Sequence, residues 1–443
     1  MNRTAPSSQW GWRPFTSNTL EFISLYGHFA GERLDEDDED EADEYFSSDA
    51  YGDEEPEDDE SWGEGRQPGE TSALLTPSAK KRRKGLAKVA TGSQSNAAFL
   101  LLKSFVGTGV LFLPRAFLNG GMLFSSLVLL FVSVLSFYCF ILLINTRLKH
   151  QASYGEMGAA LYGRWLSRLI NGSLIISQVG FASAYIVFTS ENLQAFILAV
   201  SKCRTYIPIG YIILMQMVIF LPFSLLRKIN AFKGAALVAE LFIVVGLIVL
   251  YYYDVSAIVS AGLADIALFN RNDWTLFIGT AIFTFEGIGL IIPIQEGMKD
   301  PSKLPRVLGL VMVIITVVFT SMGALSYAAF GSATKTVIIS NLPQDNKVVN
   351  AVQFLYSLAI MLSTPLQIHP AIDILSLKIW ERSGKNDLRL KWKKNIFRFG
   401  MVVLCALIAW VGANDLDKFV ALVGSFACVP LVYIYPVSKH LSS

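Results

Sequence analysis

Four cysteines in 443 residues are too few for a disulfide framework, and three of them, Cys139, Cys405 and Cys428, fall inside apolar runs, with only Cys203 in a connecting segment. Free thiols are therefore expected. Residues 1–30 lack the basic-then-apolar order of a cleaved signal peptide, which leaves insertion to the first long apolar run. No Gly-rich phosphate loop ending in lysine occurs, so ATP-driven pumping is not indicated. Nothing calls for a cofactor, a metal, a catalytic residue or a nucleic-acid partner.

Charge is also scarce wherever the chain is apolar. The formal net charge of +1 averages two unlike parts. Residues 1–94 hold most carboxylates, in the runs Asp35–Glu41 and Asp53–Glu60, with few apolar residues beside them. Such a segment repels itself and buries too little to offset the entropy of ordering, so a disordered acidic tail is expected. From Ser95 onward come long apolar runs, each near the ~20 residues that cross ~30 Å of hydrocarbon.

The pattern predicts an all-α polytopic membrane protein of ten spans, at about 96–117, 122–145, 168–200, 207–226, 232–253, 273–294, 306–330, 348–372, 395–413 and 417–437. The third exceeds what crossing requires and is expected to tilt or project. Basic residues set the orientation. Lys80-Lys81-Arg82-Arg83-Lys84 precedes the first span; Arg147, Lys149 and Arg164 follow the second, Arg227, Lys228 and Lys233 the fourth, Lys299, Lys303 and Arg306 the sixth, and Arg382 to Lys394 the eighth. The alternate loops carry acids, such as Asp254, Asp265, Asp273, Asp415 and Asp417. Both termini are therefore predicted in the cytosol, with residues 438–443 as a short cytosolic end.

Two spans share an uncommon sequence. Phe105-Val-Gly107-Thr108-Gly109-Val-Leu111 lies in the first and Phe285-Glu286-Gly287-Ile-Gly289-Leu-Ile291 in the sixth, each followed by a proline, Pro114 and Pro293. Helices five apart cross the bilayer in opposite directions, so the copies suggest inverted repeats over about 95–253 and 273–437. Paired glycines make unwinding cheap at the midplane. Unwound backbone must line a cavity or meet a polar ligand. Half-helix N-termini then offer N–H donors to a carboxylate, and freed carbonyls can accept from an ammonium. A zwitterionic amino acid supplies both. Glycines also serve close helix packing, but two matched copies with an acid in one favour a binding site. Glu286 is the sharpest candidate, because an unpaired mid-membrane charge costs ~2.5–3.5 kcal/mol even on the lenient insertion scale. It suits a substrate ammonium or a coupling proton. Glu191, Glu240 and His369 are weaker candidates, for which helix-to-helix pairing explains the residue as well.

In the tail, Glu70-Thr71-Ser72-Ala73-Leu74-Leu75 fits an acidic dileucine signal, an acid four residues before two leucines. It predicts capture by a sorting adaptor and a vacuolar or lysosomal membrane. The Lys80–Lys84 cluster sets topology and meets anionic lipid headgroups.

Four stretches together resemble the amino acid/auxin permease family, especially its fungal vacuolar exporters and the animal proton-assisted amino acid transporters. They are Lys103-Ser-Phe-Val-Gly-Thr-Gly-Val-Leu-Phe-Leu-Pro114, Ser177-Gln-Val-Gly-Phe-Ala-Ser-Ala-Tyr185, Phe283-Thr-Phe-Glu-Gly-Ile-Gly-Leu290 and Thr364-Pro-Leu-Gln367. The resemblance implies two inverted five-helix repeats and proton-linked movement of small neutral amino acids across an acidic organelle membrane. It places Gly107, Thr108 and Gly109 at the substrate carboxylate, with Phe285, Glu286 and Gly287 opposite. Two features depart from the family pattern. An eleventh helix is usual, whereas Pro436 to Ser443 directly follow the tenth predicted span here. Some animal relatives also carry a histidine before the lysine matching Lys103, where this chain has Phe99-Leu-Leu-Leu102, which leaves Glu286 as the proton candidate. A sensor that binds without transporting, or a carrier of another small amine or organic acid, would use the same broken helices.

Overall fold

The computed structural model describes residues 93–106, 109–149, 154–225, 233–380 and 388–442. Gly107, Thr108, Glu70, Leu74, Leu75, the Lys80–Lys84 cluster and the acidic tail lie outside the described residues, as do the side chains of Lys103, Glu240 and Pro293.

Among the described residues all the regular elements are helices, joined by short connections. The first predicted span is a pair, α1 (Gln94–Val106) and α2 (Gly109–Gly120), bent by 46° at the glycines. Then follow α3 (Met122–Lys149), a short α4 (Tyr154–Tyr162), α5 (Arg164–Val200), α6 (Ile209–Leu225) and α7 (Lys233–Ala261). The sixth predicted span is again two helices, α8 (Trp274–Thr284) and α9 (Ile288–Gly297). After it come α10 (Leu304–Phe330), α11 (Lys347–Ile379), α12 (Leu388–Gly412), α13 (Leu416–Val423) and α14 (Tyr435–Ser442), the last two joined by two wide-turn segments, Gly424–Cys428 and Pro430–Ile434.

Among the described residues seven helical stretches are long and apolar enough to cross a membrane, the last running through α13 and the wide turns into α14, and the bent α1–α2 pair makes an eighth. The remaining two predicted spans coincide with shorter apolar helices, Ile209–Leu221 and Trp274–Thr284. At 37 residues α5 is the longest, about 55 Å at 1.5 Å per residue, and so outreaches the hydrocarbon. The outer faces are apolar: Leu127, Phe131, Val134 and Tyr138 on α3 recur at helical spacing and are all more than half exposed, the pattern of a lipid-facing stripe.

Long-range packing joins helices five predicted spans apart. The α1–α2 pair lies against α8–α9, α3 against α10, α5 against α11 and α6 against α12. On the other side of this seam α7 packs chiefly on α11, and also on α10. All four cysteines are free thiols, three of them buried.

Several boundaries differ from the sequence expectation. Asp254, expected in a loop, sits inside α7, which continues to Ala261, and is fully buried. Arg147, expected in the loop after the second span, belongs to the last turn of α3 and is buried. Asp417 falls in the first turn of α13. The helix α4 was not anticipated. Hydropathy reports only how apolar a segment is, so polar residues that are buried by a neighbouring helix are read as loop.

Candidate functional site

The two glycine breaks meet face to face. A Cβ at Gly287 would lie 2.7 Å from Cε1 of Phe105, and one at Gly109 would lie 3.0 Å from Cγ2 of Thr284. Each break thus presents a glycine to a side chain just ahead of the other break, and the two helices approach where a larger residue could not fit. Gly289, by contrast, has nothing within 4 Å of its Cβ position. The matched phenylalanines behave alike: Phe105 packs on Phe140 of α3 with centroids 6.1 Å apart, and Phe285 on Phe319 of α10 at 5.6 Å. Phe285 is completely buried there.

Between α8 and α9 the backbone leaves the helical pattern. The Glu286 N–H reaches back to the Phe283 carbonyl at 3.3 Å, and Gly287 caps α9 in an extended conformation without a side-chain bond. Glu286 as a residue is half-buried, and its Oε1 is buried with no hydrogen-bond partner among the described residues. A carboxylate oxygen in that position is available to an ammonium group or a proton.

Aromatic rings enclose the region. Phe112 of α2 contacts Phe188 of α5 at 5.4 Å and Phe283 of α8 at 6.0 Å, and Phe181 contacts Phe283 at 4.3 Å. Behind them the Gln367 amide donates to Gln178 Oε1 at 2.8 Å, tying α11 to α5. These two glutamines come from two of the motif stretches, so those stretches are neighbours in space. On the other flank α8 meets the wide-turn segment 424–428, and a Cβ at Gly279 would sit 2.7 Å from Ser425 Oγ. Wide turns leave carbonyls imperfectly paired and recur at functional sites. This irregularity was not anticipated from the sequence, where Pro430 inside an apolar span is the one available sign.

Polar contacts close the region at both ends. Toward the Gly120 end of α2, Arg115 Nη1 donates to the Thr334 carbonyl at 2.9 Å and its Nε faces Asp417 Oδ2 at 3.6 Å, while Asn119 donates to the same oxygen at 3.3 Å. Toward the Lys149 end of α3, Arg147 donates to the Ile292 carbonyl at 2.9 Å and pairs with Glu296. The carboxylate of Glu296 is about half exposed, at 48%, so the ion pair itself contributes little. The bond to the buried carbonyl matters more. Arg147→Ala is expected to lower stability by about 1–3 kcal/mol, and Glu296→Gln by less than about 1 kcal/mol; thermal unfolding of the purified variants measures both.

Two weaker candidates sit on α11 and α5. His369 Nδ1 pairs with Asp373 Oδ2 at 2.7 Å, one turn along α11. Glu191 is half-buried in α5. Among the described residues no cluster of metal-ligating side chains occurs.

Residues 90–443 match the family described as transmembrane amino acid transporter protein. The chain is 48% identical over 427 residues to vacuolar amino acid transporter 3 of Schizosaccharomyces pombe, covering 96% of this chain and 63% of that protein. It is 48% identical over 451 residues to vacuolar amino acid transporter 3 of Saccharomyces cerevisiae, covering 96% and 60%. Against the amino acid transporter AVT3C of Arabidopsis thaliana it is 30% identical over 358 residues, covering 76% and 80%. The chain therefore spans about three fifths of the length of the fungal relatives it matches. With broken apolar helices that meet at their glycines and a family match over the whole helical region, the chain belongs to the transmembrane amino acid transporter family.

Proposed function

We propose that the helical region is a secondary carrier for small neutral amino acids in the vacuolar membrane, coupled to protons and exporting to the cytosol. The observation that carries this reading is the reciprocal packing of the two breaks beside the unpartnered Glu286 oxygen. An inverted pair of interrupted helices offers backbone donors and acceptors at mid-membrane and one acid to balance an ammonium or take a proton. Packing of helices five spans apart against each other is what a twofold axis in the membrane plane produces. In this scheme α1–α2, α3, α8–α9 and α10 rock against α5, α6, α11 and α12. Arg147 with Glu296 ties α3 to α9 within the moving group at its cytosolic end, and Arg115 with Asp417 joins α2 to α13 at the luminal end. Gly107 and Thr108 complete the carboxylate side, with Gly109, opposite Phe285, Glu286 and Gly287. The names of the fungal relatives support both the amino-acid substrate and the vacuole.

Counterflow tests the carrier reading directly. Labelled alanine should enter proteoliposomes preloaded with unlabelled alanine. Saturable binding without counterflow would make the protein a sensor, and competition by a polyamine or an organic acid but not by alanine would change the substrate class.

The acidic tail supplies the address in this reading, with Glu70, Leu74 and Leu75 presented in the cytosol to a sorting adaptor. Replacing Leu74 and Leu75 together by alanine is expected to move a fluorescently tagged chain to the cell surface. Unchanged vacuolar fluorescence would retire the motif.

A further inference from the structure

A second acid is buried away from the breaks. Asp254 lies in the last two turns of α7, fully buried, with Oδ2 hydrogen-bonded by Ser326 Oγ in the last turn of α10. Its other oxygen, Oδ1, is buried and without a hydrogen-bond partner among the described residues. An ionised carboxylate only accepts and asks for several donors, whereas a protonated one can place its own O–H on a single hydroxyl oxygen such as Ser326 Oγ. Among apolar helices the surroundings of Asp254 fit the protonated form.

The other groups facing this end of α7 do not offer a compensating charge. On α7 itself, the Tyr251 hydroxyl is engaged by Ser321 Oγ at 2.6 Å and the Val318 carbonyl at 3.1 Å, and the Tyr253 hydroxyl accepts from Asn346 at 2.7 Å. Tyr252 faces outward. From α10, Tyr327 accepts from the Ala267 N–H at 3.0 Å. From α11 comes, at its first turn, the exposed Lys347, with Tyr356 further along against Gly246 of α7, and the loop after α7 carries Asp265, also exposed. The position of Asp254 is mechanically significant. α10 packs on α1, α2 and α3, whereas α7 packs chiefly on α11. The Asp254–Ser326 contact therefore links α10 of the moving group to α7, which rides chiefly on α11 of the other group.

We propose that Asp254 is a proton-binding site separate from Glu286, which when protonated stays packed between α7 and α10 against Ser326 and when ionised draws in water to the buried Oδ1 and so loosens that contact. At the luminal end of α7, as the basic loops orient it, the site would sense the pH of the compartment from which substrate is drawn. Its transport consequence rests on the proton-coupled carrier reading, but the proton itself does not.

Infrared difference spectroscopy of the purified full chain between acidic and neutral pH reads proton binding without any transport. The wild type should show a buried-carboxyl band that disappears in Asp254→Asn and persists in Glu286→Gln. Where Asp254→Asn fails to fold, Asp254→Glu and Ser326→Ala serve instead, and each should shift that band. In proteoliposomes, Asp254→Asn should retain counterflow but lose the dependence of its rate on luminal pH. An Asp254→Asn spectrum identical to wild type, or an unshifted band in both substitutes, would overturn the proposal. Failure of counterflow in the wild type would instead count against the carrier reading alone.

Discussion

Valine in place of Gly287 is expected to weaken substrate binding by up to about two orders of magnitude in a protein that still folds. Any Cβ there lies 2.7 Å from the Phe105 ring, closer than carbon atoms pack, and valine adds two methyl groups. The ring is held by Phe140 behind it, so the α9 end of the break must move away from α1. Overpacking of this kind costs about 1–3 kcal/mol, which corresponds to about five- to 140-fold in affinity if the cost falls on the bound state. Equilibrium binding of labelled alanine to purified protein is the measurement, with circular dichroism to establish the fold. Gly289→Ala is the control, because its Cβ position is open. A milder pair sharpens the test: Gly287→Ala should be partly rescued by Phe105→Ala, since the contact itself is the cause, and a double-mutant cycle would show coupling. Equal losses at Gly287 and Gly289 would mean that the glycines matter through backbone freedom and not through the approach of the two breaks.

Glutamine at position 286 should remove the response of transport to a pH gradient while leaving the protein folded. The side chain keeps its shape and a donor–acceptor head but can neither take a proton nor balance an ammonium. Oε1 has no hydrogen-bond partner to lose among the described residues, so little structural damage follows from the substitution. The charge is the only thing removed, and an ionised side chain at this depth costs ~2.5–3.5 kcal/mol, so stability should rise or stay level. Uptake rates at several pH gradients, together with melting temperatures, separate the two effects. A normal gradient response in Glu286→Gln would assign the coupling proton elsewhere, with Asp254 as the next group to examine.

The membrane helices were readable because their composition and their environment are the same statement: a run of apolar residues about 20 long has few other places to go. The breaks were readable for a related reason. Glycine pairs such as Gly287-x-Gly289 inside an apolar run contradict the local preference for an unbroken helix, and such contradictions mark function. Composition alone could not show which glycine faces the partner helix, since that depends on the rotation of α1 against α9. The long-range partners were hidden for the same reason. Arg147 and Asp254 look like loop charges in the chain, yet α3 and α7 each continue past them and a neighbouring helix buries them. Gln178 and Gln367 lie in stretches singled out by the resemblance, but their mutual bond exists only because α5 and α11 run side by side. The wide turns at 424–428 arise where α8 presses on the tenth span through Gly279 and Gly424, a contact for which Pro430 was only a faint sign.

The most direct test of the central claim is uptake of labelled alanine into proteoliposomes containing the full chain, with and without an imposed pH gradient, beside Gly287→Val and Glu286→Gln. A carrier built on the paired breaks predicts gradient-stimulated uptake in the wild type, strongly reduced uptake in Gly287→Val, and uptake without stimulation in Glu286→Gln. Gradient-stimulated uptake that survives undiminished in both variants would contradict it.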